Sequence, residues 1–342
     1  MGAIYWHDGQ WTTDNPKLLG PADHAFWMAS MVFDGARAVD GLTPDLDLHC
    51  QRVVRSAEKM LMKPQLGWQQ VRDLCLQAVA RFPAGEALYI KPMFFCAAGF
   101  LLPEAAQTQF VLHVFKVPMP GDQGFSACFS SFARAWSNMA PTDAKASCLY
   151  PNGQRAIREA MDKGFDNAIM LDGDGHVAEF ATANLWIAKD GVVSTPADNG
   201  TFLNGITRQR VLALLRADGV DVQERALTRA DVEQADEVFS TGNYGKVVHV
   251  NRVEDRSLPY GPMARRAHGL YMETRAAAGD HRPGGRAQGW AAPAALTALP
   301  HFSCSAAMNA ANSCGVLFTT SPPSDSMRAR ILGVSTMRDT SW

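Results

Sequence analysis

Several common signatures are missing from this 342-residue chain, and each absence removes a class of function. Its seven cysteines are odd in number and form no C-x-x-C pair, so no disulfide framework is expected and a reducing cytoplasm is the natural compartment. Nowhere does the chain sustain the roughly 18 apolar residues of a membrane helix. The first ten residues carry Asp8 and no basic patch, and Trp6 stands where a myristoylation signal needs Ser or Thr, so neither export nor a lipid anchor is expected. With 32 basic against 34 acidic residues the net charge is only -2, without the basic excess that nucleic acid or an anionic membrane would select. There is no G-x-x-x-x-G-K-[ST], G-x-S-x-G, H-E-x-x-H or EF-hand loop, and no metal site is expected.

What is present is a chain 47% hydrophobic and 19% charged, long enough for two domains that each bury a core. Residues 1–117 read as a small α+β domain, opening with short aromatic strands at Ile4-Tyr5-Trp6 and around Trp11, parted by Asp8-Gly9. Leu48, Val53, Val54, Ala57 and Met60 approximate helical spacing, with Arg52, Arg55 and Lys59 elsewhere on the wheel, which predicts a helix over Leu48–Met62. A second helix fits Trp68–Phe82, and strands fit Ala87–Lys91 and Phe110–Lys116. Residues 118–124, with two prolines and two glycines, read as an interdomain linker.

Residues 125–278 read as a larger α+β domain. Asp172-Gly173 and Asp190-Gly191 mark two hairpins, and helices fit Asn152–Lys163 and Ile206–Ala217, the second stopped near Gly219. Residues 279–342 turn to Ala, Pro, Ser, Gly and Arg without a lasting period, and this tail is expected to be largely disordered.

Four places carry potential chemistry. Lys145 is a single lysine among small residues in Pro141–Tyr150, either a cofactor-holding amine or a solvated loop lysine. Leu203-Asn-Gly-Ile-Thr-Arg208 leads into a helix whose free N–H groups suit a phosphate, or is simply capped by Asn204 or Thr207. Phe239–Lys246 ends a strand in a polar glycine-containing turn able to offer donors to an anion. Glu179, flanked by apolar and small residues, either meets a buried cation or is an exposed hairpin carboxylate.

In this order the pieces resemble the class IV pyridoxal-phosphate aminotransferases, most of all the branched-chain amino acid aminotransferase family. The resemblance spans Tyr5 to Ala278. It rests on Val32-Phe-Asp-Gly-Ala-Arg37, Gln51-Arg52, Pro141–Tyr150, Val177-Ala-Glu179 with Asn184-Leu185, Leu203–Arg208, Ala235–Phe239 with Thr241-Gly242, and Gly261-Pro262. It implies a two-domain α+β fold, that of the fold-type IV pyridoxal-phosphate enzymes related to D-amino acid aminotransferase. It also implies that Lys145 forms a Schiff base with pyridoxal 5'-phosphate, that Glu179 pairs with the pyridine nitrogen, and that Tyr150 lies at the phenolic oxygen. Arg52, Ile206 and Thr207 would hold the phosphate, with Asn243 in place of a family threonine. Tyr89 would seat the substrate carboxylate, Gly35 keeping space beside it, and Tyr244 is a further substrate-side residue. For Lys145 to carry a proton its pKa must fall, and burial beside a cation is expected to lower it.

Two departures bear on substrate choice. Lys91 in Tyr89-Ile-Lys-Pro92 replaces an arginine that assists carboxylate recognition, and a point-charge ammonium cannot make the two-pronged contact. Met28 replaces a tyrosine of the pocket wall. The implied reaction moves the amino group of branched-chain or other hydrophobic L-amino acids to 2-oxoglutarate, in a cytoplasmic homodimer whose active site is capped by a loop from the other subunit. Rivals of the same fold are D-amino acid aminotransferase, R-selective amine transaminase and aminodeoxychorismate lyase. The non-enzyme reading is an inactive cofactor-binding homologue, against which the presence of Lys145, Glu179, Arg52 and Tyr150 together speaks.

Overall fold

Alternating apolar and polar residues build the first sheet. In this computed structural model, which describes residues 2–275, it contains β1 (Ala3–His7), β2 (Gln10–Thr12), β3 (Met31–Phe33), β4 (Ala36–Ala38), β5 (Leu88–Cys96) and β6 (Thr108–Lys116). The order is β2-β1-β6-β5-β3, with β4 also on β5, and every pair is antiparallel. Ile4, Ile90, Phe94, Leu112 and Val114 form its inner face. A short helix α1 (His24–Met28) precedes β3, and α2 (Leu46–Lys59) and α3 (Trp68–Val79) cover the inner face. Leu46, Cys50, Val53 and Ala57 of α2 recur at helical spacing and are fully buried.

β5 runs five residues beyond the expected end at Lys91 and passes through Pro92, which pairs with Leu112. Proline is tolerated there because the neighbouring strand is interrupted between β3 and β4. The break leaves the Asp34 N–H to donate to the Pro92 carbonyl at 2.9 Å, on the side where a proline has no N–H to leave unpaired.

The second sheet takes over after residues 117–124. Its elements are β7 (Phe125–Phe129), α4 (Tyr150–Asp162), β8 (Asn167–Leu171), β9 (Val177–Phe180), β10 (Asn184–Lys189), β11 (Val192–Pro196), α5 (Ile206–Ala217), β12 (Val222–Arg225), α6 (Arg229–Glu233), β13 (Glu237–Gly242), β14 (Lys246–Val253), β15 (Arg256–Ser257) and α7 (Pro262–Thr274). The strand order is β12-β11-β10-β13-β14-β7-β8-β9, with β15 on β14. Three pairs are parallel (β11/β12, β14/β7 and β7/β8), so the sheet is mixed. Both expected hairpins form, and α5 has the expected limits, ended by Gly219 at φ +82°. The tail from 279 onward lies outside the described residues. No helix among the described residues is long and apolar enough to cross a membrane.

One segment crosses between the halves. Ala144 and Ala146 are buried in the first core, Val32 bridges Ala146, and the Phe33 N–H donates to the Lys145 carbonyl at 3.1 Å. At the far end, buried Glu237 accepts from the N–H groups of Met263 and Ala264 at 3.0 and 2.9 Å, capping α7. Glu237→Gln keeps the shape but turns an amide toward one of these donors. It is expected to cost about 1–2 kcal/mol in urea unfolding; an unchanged midpoint and slope would reject the cap.

Candidate active site

The Lys145 segment, the first turn of α5 and the end of β13 meet around a cavity of about 320 Å³. Lys145, Arg52, Tyr150, Glu179, Ile206, Thr207, Asn243, Tyr89 and Tyr244, all expected site residues, line it. The Lys145 amide donates to Ser56 Oγ of α2 at 3.0 Å, and its Nζ donates to the Tyr150 hydroxyl at 2.7 Å beside the Phe33 ring. Burial works against this ammonium, but Tyr150 and the Asp34 carboxylate outweigh it, so its pKa stands above the ordinary lysine value. The expected fall is therefore not present in the chain alone, because the neighbours of Nζ favour its charge.

Glu179 is buried on β9, which removes the exposed-hairpin alternative. Arg134 Nη2 lies 2.7 Å from Oε1, and Asn184 Nδ2 donates to Oε2 at 3.1 Å and to the Leu203 carbonyl at 3.0 Å. Burial pushes its pKa up to about 7 although Arg134 and Lys145 pull the other way. A protonated ring nitrogen is the kind of partner that would hold such a carboxyl as an anion.

Ordinary capping of α5 is also absent. Gly205 precedes it in extended conformation with no side-chain cap, and Asn204 instead accepts from Arg208 at 3.0 Å. The N–H groups at Ile206 and Thr207 remain free of intrahelical partners at the cavity wall. Arg52 spends Nε and Nη2 on Asp34 at 2.7 and 2.8 Å, which fixes the guanidinium and leaves Nη1. His49 donates its Nδ1–H to the Asp34 carboxylate at 2.7 Å, and its buried Nε2 has no partner. These groups fit a phosphorylated pyridine aldehyde: an amine for the aldehyde, an acid for the ring nitrogen, and cationic and N–H donors for the phosphate.

The remaining expected residues divide. A Cβ on Gly35 would overlap the Tyr89 hydroxyl, so only glycine leaves that ring its place. Lys91 and Met28 do not line the cavity. The Lys91 ammonium sits 5.6 Å from the Phe115 ring on the outer face of the first sheet, and Met28 is 41% exposed at the end of α1. Arg134, His49 and Asn184 line the cavity but were not anticipated. Arg134 carried the same signal as Glu179, a charge among apolar residues in Phe132-Ala-Arg-Ala-Trp136.

Glu179 makes stability pH-dependent in a defined direction. Its folded pKa is raised, so the protonated form favours folding, and this contribution is present below about 4.5 and lost as pH rises toward about 7. Without cofactor, Glu179→Gln should therefore gain on the wild type between pH 5 and 8, by up to roughly 3 kcal/mol in urea unfolding. Parallel pH curves for the two proteins would show that the carboxyl does not titrate there.

Comparison with known proteins places this geometry. Residues 31–253 match the family described as amino-transferase class IV. A branched-chain-amino-acid aminotransferase of Pseudomonas aeruginosa is 32% identical over 291 residues, 79% of this chain and 92% of the relative. Among solved structures, an aminotransferase from Brucella abortus bound to PLP is 42% identical, with a TM-score of 0.79 over 80% of this chain and 99% of that one. The branched-chain amino acid aminotransferase of Escherichia coli is 27% identical, with a TM-score of 0.75 over 80% and 94% of the two chains. The chain belongs to the class IV aminotransferases, and its cofactor is pyridoxal 5'-phosphate.

Proposed function

We propose that this enzyme transfers the amino group of branched-chain or other hydrophobic L-amino acids to 2-oxoglutarate, with Lys145 as the covalent attachment point of the cofactor. The observation that carries the reading is the placement of the Lys145–Tyr150 pair and the Arg134–Glu179 pair on the walls of one cavity. The substrate class is supported by the relatives named for branched-chain substrates.

The cofactor, when bound, supplies an electron sink for the substrate Cα. Arg52, held by Asp34, and the N–H groups of Ile206 and Thr207 would bind its phosphate. Asn243 adds an amide whose Nδ2 is buried without a partner. Glu179, its two oxygens fixed by Arg134 and Asn184, would face the ring nitrogen and keep a proton on it, the cation opposite holding the carboxyl as an anion. Tyr150 keeps the Lys145 amine at its place, where it would take up the proton leaving the substrate Cα. Tyr89 orients the substrate carboxylate, and Gly35 gives its ring room.

The same reading includes a cytoplasmic homodimer. Phe26, Trp27 and Met28 on α1 and Phe100, Leu101 and Leu102 in the loop after β5 are all more than 40% exposed, and the Trp27 and Phe100 rings lie 5.7 Å apart. A second copy would cover this apolar surface. Met28 would then meet substrate only across the dimer. Sedimentation of the full chain should give twice the monomer mass, and a monomer at micromolar concentration would reject this assembly.

The test of the reaction is spectroscopic. Protein loaded with pyridoxal phosphate should lose its yellow band on adding L-leucine and regain it with 2-oxoglutarate, and Lys145→Ala should lack the lysine-dependent band. A yellow protein indifferent to leucine, isoleucine and valine would sink the substrate reading. A normal band in Lys145→Ala would sink the role of the lysine.

A further inference from the structure

Asp45 stands at the N-cap of α2, yet its side chain does not cap the helix. Acids at this position ordinarily accept from the first free N–H groups, and its backbone is left-handed at φ +59°, uncommon for a residue with a side chain. The buried carboxylate turns instead toward the helices of the second sheet. Arg210 Nη1 of α5 donates to both its oxygens at 3.1 Å, and the Tyr271 hydroxyl of α7 donates to Oδ2 at 3.1 Å. Arg210 lies 4.6 Å from the Tyr271 ring and gives Nη2 to the carbonyl and, at 3.2 Å, the hydroxyl oxygen of Thr274. Lys246, buried at the start of β14, places its ammonium 5.6 Å from the same ring. A left-handed acid that forgoes its own cap is locally unfavourable, and what offsets it is a buried ion pair between the two halves of the molecule.

The two partners sit on the helices that supply the cationic and N–H donors of the cavity. Asp45, His49 and Arg52 follow at i, i+4 and i+7 on α2, and Ile206 and Arg210 at i and i+4 on α5, so each partner shares a face with a donor. His49, Arg52 and Ile206 line the cavity, whereas Asp45 and Arg210 do not. Seven residues of helix put Asp45 about 10 Å from Arg52 along the axis, too far to touch what Arg52 holds. Asp34 fixes the Arg52 guanidinium, but only relative to the first sheet. The free N–H groups of Ile206 and Thr207 belong to the second, so a phosphate held by both needs α2 and α5 at a set separation. Asp45 and Arg210 join these two helices directly. A further bond, from Arg275 Nη2 to Asp40 Oδ2 at 2.6 Å, fastens the end of α7 to the loop that leads into α2.

We propose that Asp45 and Arg210 are positioning residues for the cofactor phosphate: a buried ion pair that sets the separation between Arg52 on α2 and the free N–H groups at the start of α5. This rests on the reading of those groups as the phosphate cradle and adds what keeps its two sides in register. Neutralising either partner leaves every cradle donor in place but strands a buried charge and frees α2 to shift against α5. The phosphate then loses affinity, while the ring and aldehyde, which meet Glu179 and Lys145, keep theirs.

The test titrates the full-length chain, freed of cofactor, with pyridoxal phosphate and with pyridoxal, which lacks only the phosphate, and follows the lysine-dependent yellow band. The wild type should prefer the phosphorylated probe by about a hundredfold or more. Asp45→Asn keeps the shape of the side chain and suits the left-handed backbone; it should weaken pyridoxal phosphate about tenfold and leave pyridoxal within about threefold. Arg210→Gln should do the same, and preserved pyridoxal binding shows that the cavity of each variant is folded. The double variant should lose no more of the phosphate preference than either single one, since the pair can be broken only once. The inference is overturned if the variants weaken both probes equally, if the preference is unchanged, or if the two losses add in the double variant. A wild type that binds both probes alike would fail the cradle reading itself, and this inference with it, before any variant is made.

Discussion

The buried carboxylate of Asp34 is the contact on which the active site depends. It accepts two bonds from Arg52 and lies 2.7 Å from His49, so it joins the break between β3 and β4 to the face of α2. Burial alone would raise its pKa, but Arg52 and His49 hold it well below the usual carboxylate range. It therefore stays an anion at neutral pH and well into acid. That break carries Gly35, whose missing side chain gives Tyr89 its place. The α2 face carries Ser56, which accepts from the Lys145 amide. The reacting lysine, though its chain continues into the second sheet, is thus fixed by the first.

The cavity walls divide charge in a way that matches an amphoteric ligand. Arg52 and the start of α5 form one cationic region, and the Lys145 ammonium beside Tyr150 forms another. Glu179 is the acid that remains open to change: Asp34 is saturated by two bases, whereas Glu179 has one guanidinium and one amide. Two buried carboxyls are consequently driven in opposite directions, one fixed as an anion and one held near neutrality. Only the second can respond to a cation entering the cavity.

Local patterns were legible where a local rule decides the structure. The limits of α5 follow from its apolar spacing and Gly219, and the hairpins follow from their Asp-Gly turns. The course of β5 through Pro92 was not legible, because it depends on an interruption in a strand more than fifty residues away in sequence. The group at Lys145, Tyr150, Glu179 and Arg52 was recognisable from the order of several motifs, not from any one of them. Arg134 and Lys246 were missed since each lies in irregular chain or at its edge, where burial of a charge is determined by distant elements. Lys91 lies off the cavity for a related reason: alternation puts it on the same side of β5 as Tyr89, but two residues along a strand is roughly 7 Å, enough to leave the cavity wall.

The opposite states of the two buried lysines follow from the same reasoning. Lys145 has a phenol at 2.7 Å and the Asp34 charge nearby, and its ammonium is favoured. At Lys246, on β14, burial together with the Arg37 and Arg210 guanidiniums outweighs the Asp45 carboxylate, and its ammonium is disfavoured. Neither value is a property of burial alone, since burial acts against the charge in both. A cation entering near Glu179 would move that carboxyl toward its charged form. The ring nitrogen of the cofactor is such a cation, a partner that the chain's own side chains leave unmatched at Glu179.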